Sequence, residues 1–229
     1  MSATAGAGHF DFQLGSSYST VEGDAVSFAP KVAAMLAANY FTAVPSRPRT
    51  QLGAGGLYLS SIGLAAELHD AVGPAVQRPA RWHRFDASFA ALQEVGQRGA
   101  LTLYAELGYS RVALFSPVQL PAENIARHGP LLSVGMRALV LKRRVRLGVA
   151  PQARWLWLTE PRPEGDTSPL DRGSLTEIGA TADITVRLAS AFGLGVRGQH
   201  LYGVSASTEY GHRSRAVMAF FTFDSNLER

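Results

Sequence analysis

The chain has no cysteine, which excludes a disulfide framework, a thiolate metal site and a cysteine nucleophile. Lysine is nearly absent too: of 22 basic residues in 229, only Lys31 and Lys142 are not arginine. Charged residues make up 17%, below the roughly 25% of soluble domains. Yet no run of about 18 strongly apolar residues exists to form a membrane helix. The longest uncharged stretches, 32–46 and 50–66, are rich in Ala, Gly and Ser. The opening MSATAGAGHF has neither a basic n-region nor an apolar h-region. For an exported protein, that opening is expected of a mature form carrying an added start methionine. Nucleotide-binding chemistry is not expected, because GAGG at Gly53 to Gly56 lacks the spacing and following helix of a phosphate loop. The net charge of +4 and pI near 9.7 come from arginines spread along the chain. With one basic cluster, at Lys142, Arg143, Arg144 and Arg146, no nucleic-acid partner is expected.

What the sequence does have is alternation. From Leu132 to Leu158, Leu132, Val134, Met136, Ala138 and Val140 fall on one face of an extended chain, and Ser133, Gly135 and Arg137 on the other. After the basic turn the pattern resumes, with Val145, Leu147, Val149, Ala153, Trp155 and Trp157 against Arg146, Gly148, Gln152 and Arg154. An apolar face of roughly 10 residues suits a tilted strand crossing a bilayer. Mean hydropathy of +0.02 is what lipid-facing and lumen-facing positions average to.

The same period predicts ten strands between about residues 9 and 223, with short tails. The first is HFDFQLGSSYS, followed by a loop at Thr20 to Asp24 and a second strand from Val26 to Thr42. The Pro-rich VPSRPRT interrupts pairing before a third strand, Gln51 to Leu68, whose IGLAAEL segment also fits a short helix. A loop at Asp70 to Ala80 precedes strand four, Arg81 to Val95, and GQRG leads into strand five, Leu101 to Ser110. Long connections are expected at Ser116 to His128, Thr159 to Gly173 and Ser205 to Arg213. Connections after even strands are mostly tight and those after odd strands mostly longer, as in barrels with short periplasmic turns and longer external loops.

A soluble barrel also alternates, but strand length and aromatic placement favour the membrane. Tyr18, Tyr109, Trp155, Trp157 and Tyr202 gather at one rim, and Phe10, Phe12, Tyr40, Phe192 and Phe223 at the other, as two interfacial girdles would. The expectation is all-β, one antiparallel up-and-down transmembrane barrel over 1–229.

The pattern resembles the small bacterial outer-membrane β-barrels typified by the transmembrane domain of outer-membrane protein A. Its most specific element is the closing strand AVMAFFTF, with Phe221 and Phe223; Asp224 to Arg229 beyond it depart from the family's C-terminal aromatic. The resemblance implies a bacterial outer membrane and insertion by the barrel-assembly machinery.

On the polar face, Arg84, Arg137, Arg146, Arg154, Arg187 and Arg197 accompany Asp86, Glu106, Glu177 and Asp183. Charges in a narrow interior must be paired or hydrated. An ion-paired plug is expected, with Arg137, Arg154, Arg187 and Arg197 meeting Glu106, Glu177 and Asp183; the rival is an arginine-lined pore for small anions. A lipid-modifying enzyme is the third alternative, from His200 with Ser205, Ser207 and Glu209, but no nucleophile elbow or HExxH pattern appears. No catalytic residue, metal or cofactor is expected. The expected function is structural or interactive: the lipid bilayer around the wall, and an envelope protein or surface ligand at loops 116–128 and 159–173.

Overall fold

The computed structural model describes residues 8–23, 26–68, 76–95, 100–115, 125–158, 174–205 and 211–225. Ten strands follow one another: β1 (His9–Gly23), β2 (Val26–Val44), β3 (Arg47–Leu68), β4 (Val76–Val95) and β5 (Leu101–Phe115). The second half is β6 (Ile125–Val140), β7 (Val145–Leu158), β8 (Ser174–Arg187), β9 (Phe192–Ser205) and β10 (Gly211–Asp224). Each pairs antiparallel with its sequence neighbour, and β1 pairs with β10 from Asp11↔Asp224 to Gly23↔His212, closing the barrel. Closure leaves no open sheet edge, the condition for a sheet to sit in lipid.

Several strands run further than expected, because pairing with both neighbours overrides local turn chemistry. β1 continues through the anticipated loop to Gly23 and reaches β2 across positions 24–25 alone. Within VPSRPRT the turn is confined to Pro45 and Ser46, and a register shift between Ala43 and Val44 absorbs the prolines at the rim. IGLAAEL is strand, not helix. β4 starts at Val76, with Pro79 opposite Ala65 just past an irregularity between Ser61 and Leu64. β6 begins at Ile125 and β10 at Gly211, inside stretches expected to be loop, and Asp224 belongs to β10.

The tight turn between β6 and β7 is closed by Arg144 N–H donating to the Leu141 carbonyl at 3.2 Å. Leu141, Lys142 and Arg143 have φ of 50°, 56° and 65°, the left-handed region that non-glycine residues avoid. The mirror-image turn matches the strand twist, which is why hairpins favour it and normally supply it with Asn-Gly.

Alternation sorts every strand into two sides. Leu14, Val32, Leu103, Val134, Leu147, Ile184, Val196 and Phe221 are exposed on the outer wall, while Gln13, Met35, Arg84, Ser133, Arg154 and Gln199 are buried within.

Candidate functional site: the filled interior

The inner face begins with a packing rule. Large inward side chains lie across glycines in the neighbouring strand: Tyr104 is paired with Gly135, Phe220 with Gly195 and Asp183 with Gly148. A Cβ on Gly135 would come within 2.8 Å of Tyr104 Cζ, and one on Gly148 within 2.5 Å of Asp183 Oδ1. The absence of side chains there lets the bulky partners fold flat over the wall.

Two arginines rest on those rings. The Arg137 guanidinium carbon lies 4.8 Å from the Tyr104 ring centroid, and that of Arg197 lies 5.4 Å from the Phe220 centroid. A cation over an aromatic face is held by the ring quadrupole.

Above them sits the charged layer. Arg84 donates to Asp86 through Nε at 2.8 Å and Nη2 at 2.5 Å, and Ser110 donates to the other carboxylate oxygen at 2.5 Å. Arg84 Nη1 also donates to Gln199 Oε1. β4 and β9 stand five positions apart in a ring of ten, so this hydrogen bond joins opposite walls. Beside it, Arg154 Nη1 meets Glu177 Oε2 at 3.1 Å, with Arg154 only 1% exposed.

Toward the long connections, this layer is covered by apolar side chains: Trp82, Leu156, Leu175 and Leu201 are all buried. Toward the tight turns, Arg146 pairs with Asp224 at 3.2 Å, and Asp11 accepts from Thr222 at 2.8 Å and Gln13 at 3.1 Å. Between these layers lies a polar cavity of about 120 Å³ lined by residues including Arg84, Tyr104, Glu106, Arg137, Asp183 and Arg197.

The expected interior charges therefore all lie on the inner side, and the anticipated partners are met in part, with Asp183 standing directly opposite Arg197 in the β8–β9 pairing. Arg154 meets Glu177. Arg137 instead rests on Tyr104, and Arg197 rests on Phe220 and reaches Gln13 Oε1 at 3.4 Å. Glu106 accepts from Ser88, Asp183 lies against Gly148, and Arg187 stands opposite Gly193 at the end of β8. Asp11, Asp224, Gln13, Gln199 and the apolar cap were not anticipated. The cap did leave a signal: in WLWL at 155–158 both faces turn apolar together.

The outer wall carries the aromatics. Tyr18, Tyr109, Trp155, Trp157 and Tyr202 are exposed at the end with long connections. At the other end Phe12, Phe223 and Phe192 are neighbours across β1, β10 and β9, with Phe192 and Phe223 rings 5.3 Å apart, and Phe10 pairs with Tyr40. Between the rims the exposed side chains are apolar apart from Ser16 on β1, a surface far larger than soluble monomers present.

No protein-family model and no curated protein matches the chain. Among solved structures it is similar to the outer membrane protease OmpT from Escherichia coli, with TM-score 0.52 and 10% identity over 98% of both chains. It also aligns with Ail of Yersinia pestis (TM-score 0.42, 9% identity, 94% of this chain and 99% of that one). OprG of Pseudomonas aeruginosa aligns with TM-score 0.41 and 10% identity over 96% of this chain and 97% of that one. The closed barrel and its apolar belt agree with the likeness of fold to OmpT. The protein has the fold of an outer-membrane β-barrel.

In an outer-membrane barrel the inner face is the place to look for chemistry. Among the described residues no group of three or more His, Asp or Glu is arranged to hold a metal ion. His200 faces outward and is exposed. Ser207 and Glu209 lie outside the described residues, as do positions 116–124 and 159–173 of the two loops expected to bind partners.

Proposed function

We propose that this outer-membrane barrel is non-catalytic and non-conducting, a rigid scaffold whose external segments 116–124 and 159–173 recognise a surface ligand or another envelope protein. The Arg84–Gln199 hydrogen bond between opposite walls carries the proposal, because a lumen bridged across its diameter has no room for a hydrated solute. The Arg154–Glu177 pair beside it and the apolar cap above support it. Loops held by a rigid wall are free to diversify, which is where recognition by such scaffolds resides. Insertion would follow the route of other such barrels, through the assembly machinery.

Planar-bilayer recording of the purified, refolded protein tests this. Silence at 1 M salt is expected. Steady, anion-selective openings would overturn it in favour of a pore through the arginine-lined cavity. Hydrolysis of phospholipid or lipopolysaccharide would overturn the non-catalytic part.

A further inference from the structure

The tight turn between β6 and β7 is built against its own backbone preference. Leu141, Lys142 and Arg143 all lie in the left-handed region, at φ of 50°, 56° and 65°. Glycine and asparagine adopt it at little cost, and hairpins normally use them there. Strain of this kind gathers at positions that serve more than folding. What these side chains add is positive charge: Lys142 and Arg144 are exposed and Arg143 is half-buried.

A second basic turn stands across the same rim. β2 and β3 meet at Pro45 and Ser46, and Arg47 and Arg49 just beyond are exposed. Arg47, Arg49, Lys142 and Arg144 form no ion pair with any described residue. Carboxylates near them are engaged within the barrel. Asp11 and Asp224 are buried, Asp224 pairing with Arg146, and Glu94 accepts from Gln51 at 3.5 Å.

Both turns leave the aromatic girdle directly. β2 runs from the girdle's Tyr40 to its end at Val44. Val145, the first residue of β7, is joined through Val186 to Leu194, next but one to Phe192. Such a girdle marks the depth of the lipid headgroups, so these cations emerge among headgroups. Leu141 at the turn is 73% exposed and gives the charged turn an apolar side chain to set against the acyl boundary. Short turns face the periplasmic leaflet, and basic side chains at a membrane surface are attracted to anionic lipid.

We propose that the periplasmic rim binds anionic phospholipid headgroups, with Lys142 and Arg144 holding a phosphate on one side of the barrel and Arg47 and Arg49 holding another across it. The proposal rests on the membrane placement and adds an anionic phospholipid partner to it.

The test refolds the full chain into nanodiscs of mixed phosphatidylcholine and phosphatidylglycerol. Native mass spectrometry then reads which lipid stays bound as the disc is stripped away. Wild type should retain phosphatidylglycerol at least about tenfold over its share of the mixture. Combining Arg47→Gln, Arg49→Gln, Lys142→Gln and Arg144→Gln should abolish the preference. Combining Arg47→Lys, Arg49→Lys, Lys142→Arg and Arg144→Lys should keep most of it, since the charge is what attracts the lipid. Heat-modifiable gel mobility shows that the variants are folded. Equal retention of the two lipids by wild type, or a preference that survives the glutamines, would overturn the proposal. So would co-sedimentation of wild type with purified peptidoglycan sacculi, lost in the glutamine variant and unaccompanied by any lipid preference, which would assign the turns to the cell wall. Failure of the wild type to enter nanodiscs would overturn the membrane placement itself, and this proposal with it.

Discussion

Glu177→Gln should be among the most damaging conservative changes available in this protein. The substitution keeps the shape of the side chain and removes its charge. Its partner Arg154 is 1% exposed, and Nε and Nη2 of that guanidinium are buried without a hydrogen-bond partner in the protein. At 3.1 Å the intact pair attracts with about 5 kcal/mol at an effective dielectric of about 20. Most of that offsets the desolvation of two ions, so the pair itself contributes little net stability. Its loss is another matter: a guanidinium left buried and unpaired is expected to cost about 3–5 kcal/mol. Arg154→Met should also destabilise, by removing the cation that Glu177 meets at 3.1 Å. The double replacement Arg154→Met with Glu177→Leu should recover most of that, ending near wild type or above it. Urea unfolding from phospholipid vesicles, followed by tryptophan fluorescence and by heat-modifiable gel mobility, measures all three. A Glu177→Gln cost below about 1 kcal/mol would refute the reasoning. So would a double variant as unstable as the sum of the singles.

Leu147→Arg places a charge on the apolar belt and should cost about 2–4 kcal/mol in the same vesicle assay; unchanged stability, or a protein that stays soluble and folded without lipid or detergent, would contradict a lipid-facing wall. In the β6–β7 turn, Lys142→Asn with Arg143→Gly should stabilise the barrel by about 1–2 kcal/mol per residue, because both positions hold left-handed backbone that the new residues adopt more readily. An unmoved unfolding midpoint would mean that the turn stores no such strain.

The fold was legible because a membrane wall imposes one rule on every residue it contains. β5 is the clearest case: Leu101, Leu103, Ala105, Leu107 and Tyr109 alternate without a fault against Thr102, Tyr104, Glu106, Gly108 and Ser110, and it spans the wall from rim to rim. Strand ends were less legible. Prolines at 48 and 79 mark turns in a free chain, but here each lies in a strand held by two neighbours, close to a register irregularity that accommodates it. Within the site, the sequence revealed which charges face inward and not which ones meet. Partner choice depends on stagger around the barrel, and Arg84 finds Gln199 on the far side, 115 residues away. Arg137 illustrates the same limit: whether it met Glu106 or the Tyr104 ring depended on Gly135 leaving space for that ring.

The apolar cap shows how a closed lumen could be recognised from sequence in a barrel of this kind. In a water-filled barrel the inner face must remain polar from rim to rim, since every inward side chain meets solvent. Strict alternation should then persist to the end of each strand. Where the interior is plugged, inward positions are freed from that demand and can bury apolar surface against one another. In β7, Arg154 is the last charged inward residue, and Leu156 follows it at 1% exposure between the outward Trp155 and Trp157. β8 does the same with Leu175 beyond Glu177, and β9 with Leu201 beyond Gln199. Three adjacent strands thus lose their alternation beyond their last polar inward residue, Leu156 and Leu175 as direct cross-strand partners. Burying a leucine in this way contributes about 1.5–3 kcal/mol, and it does so only because the layer beneath excludes water. Under the proposed closed lumen, loss of alternation on neighbouring strands is the plug's signature in sequence, readable before any partner of Arg84 or Arg154 is known.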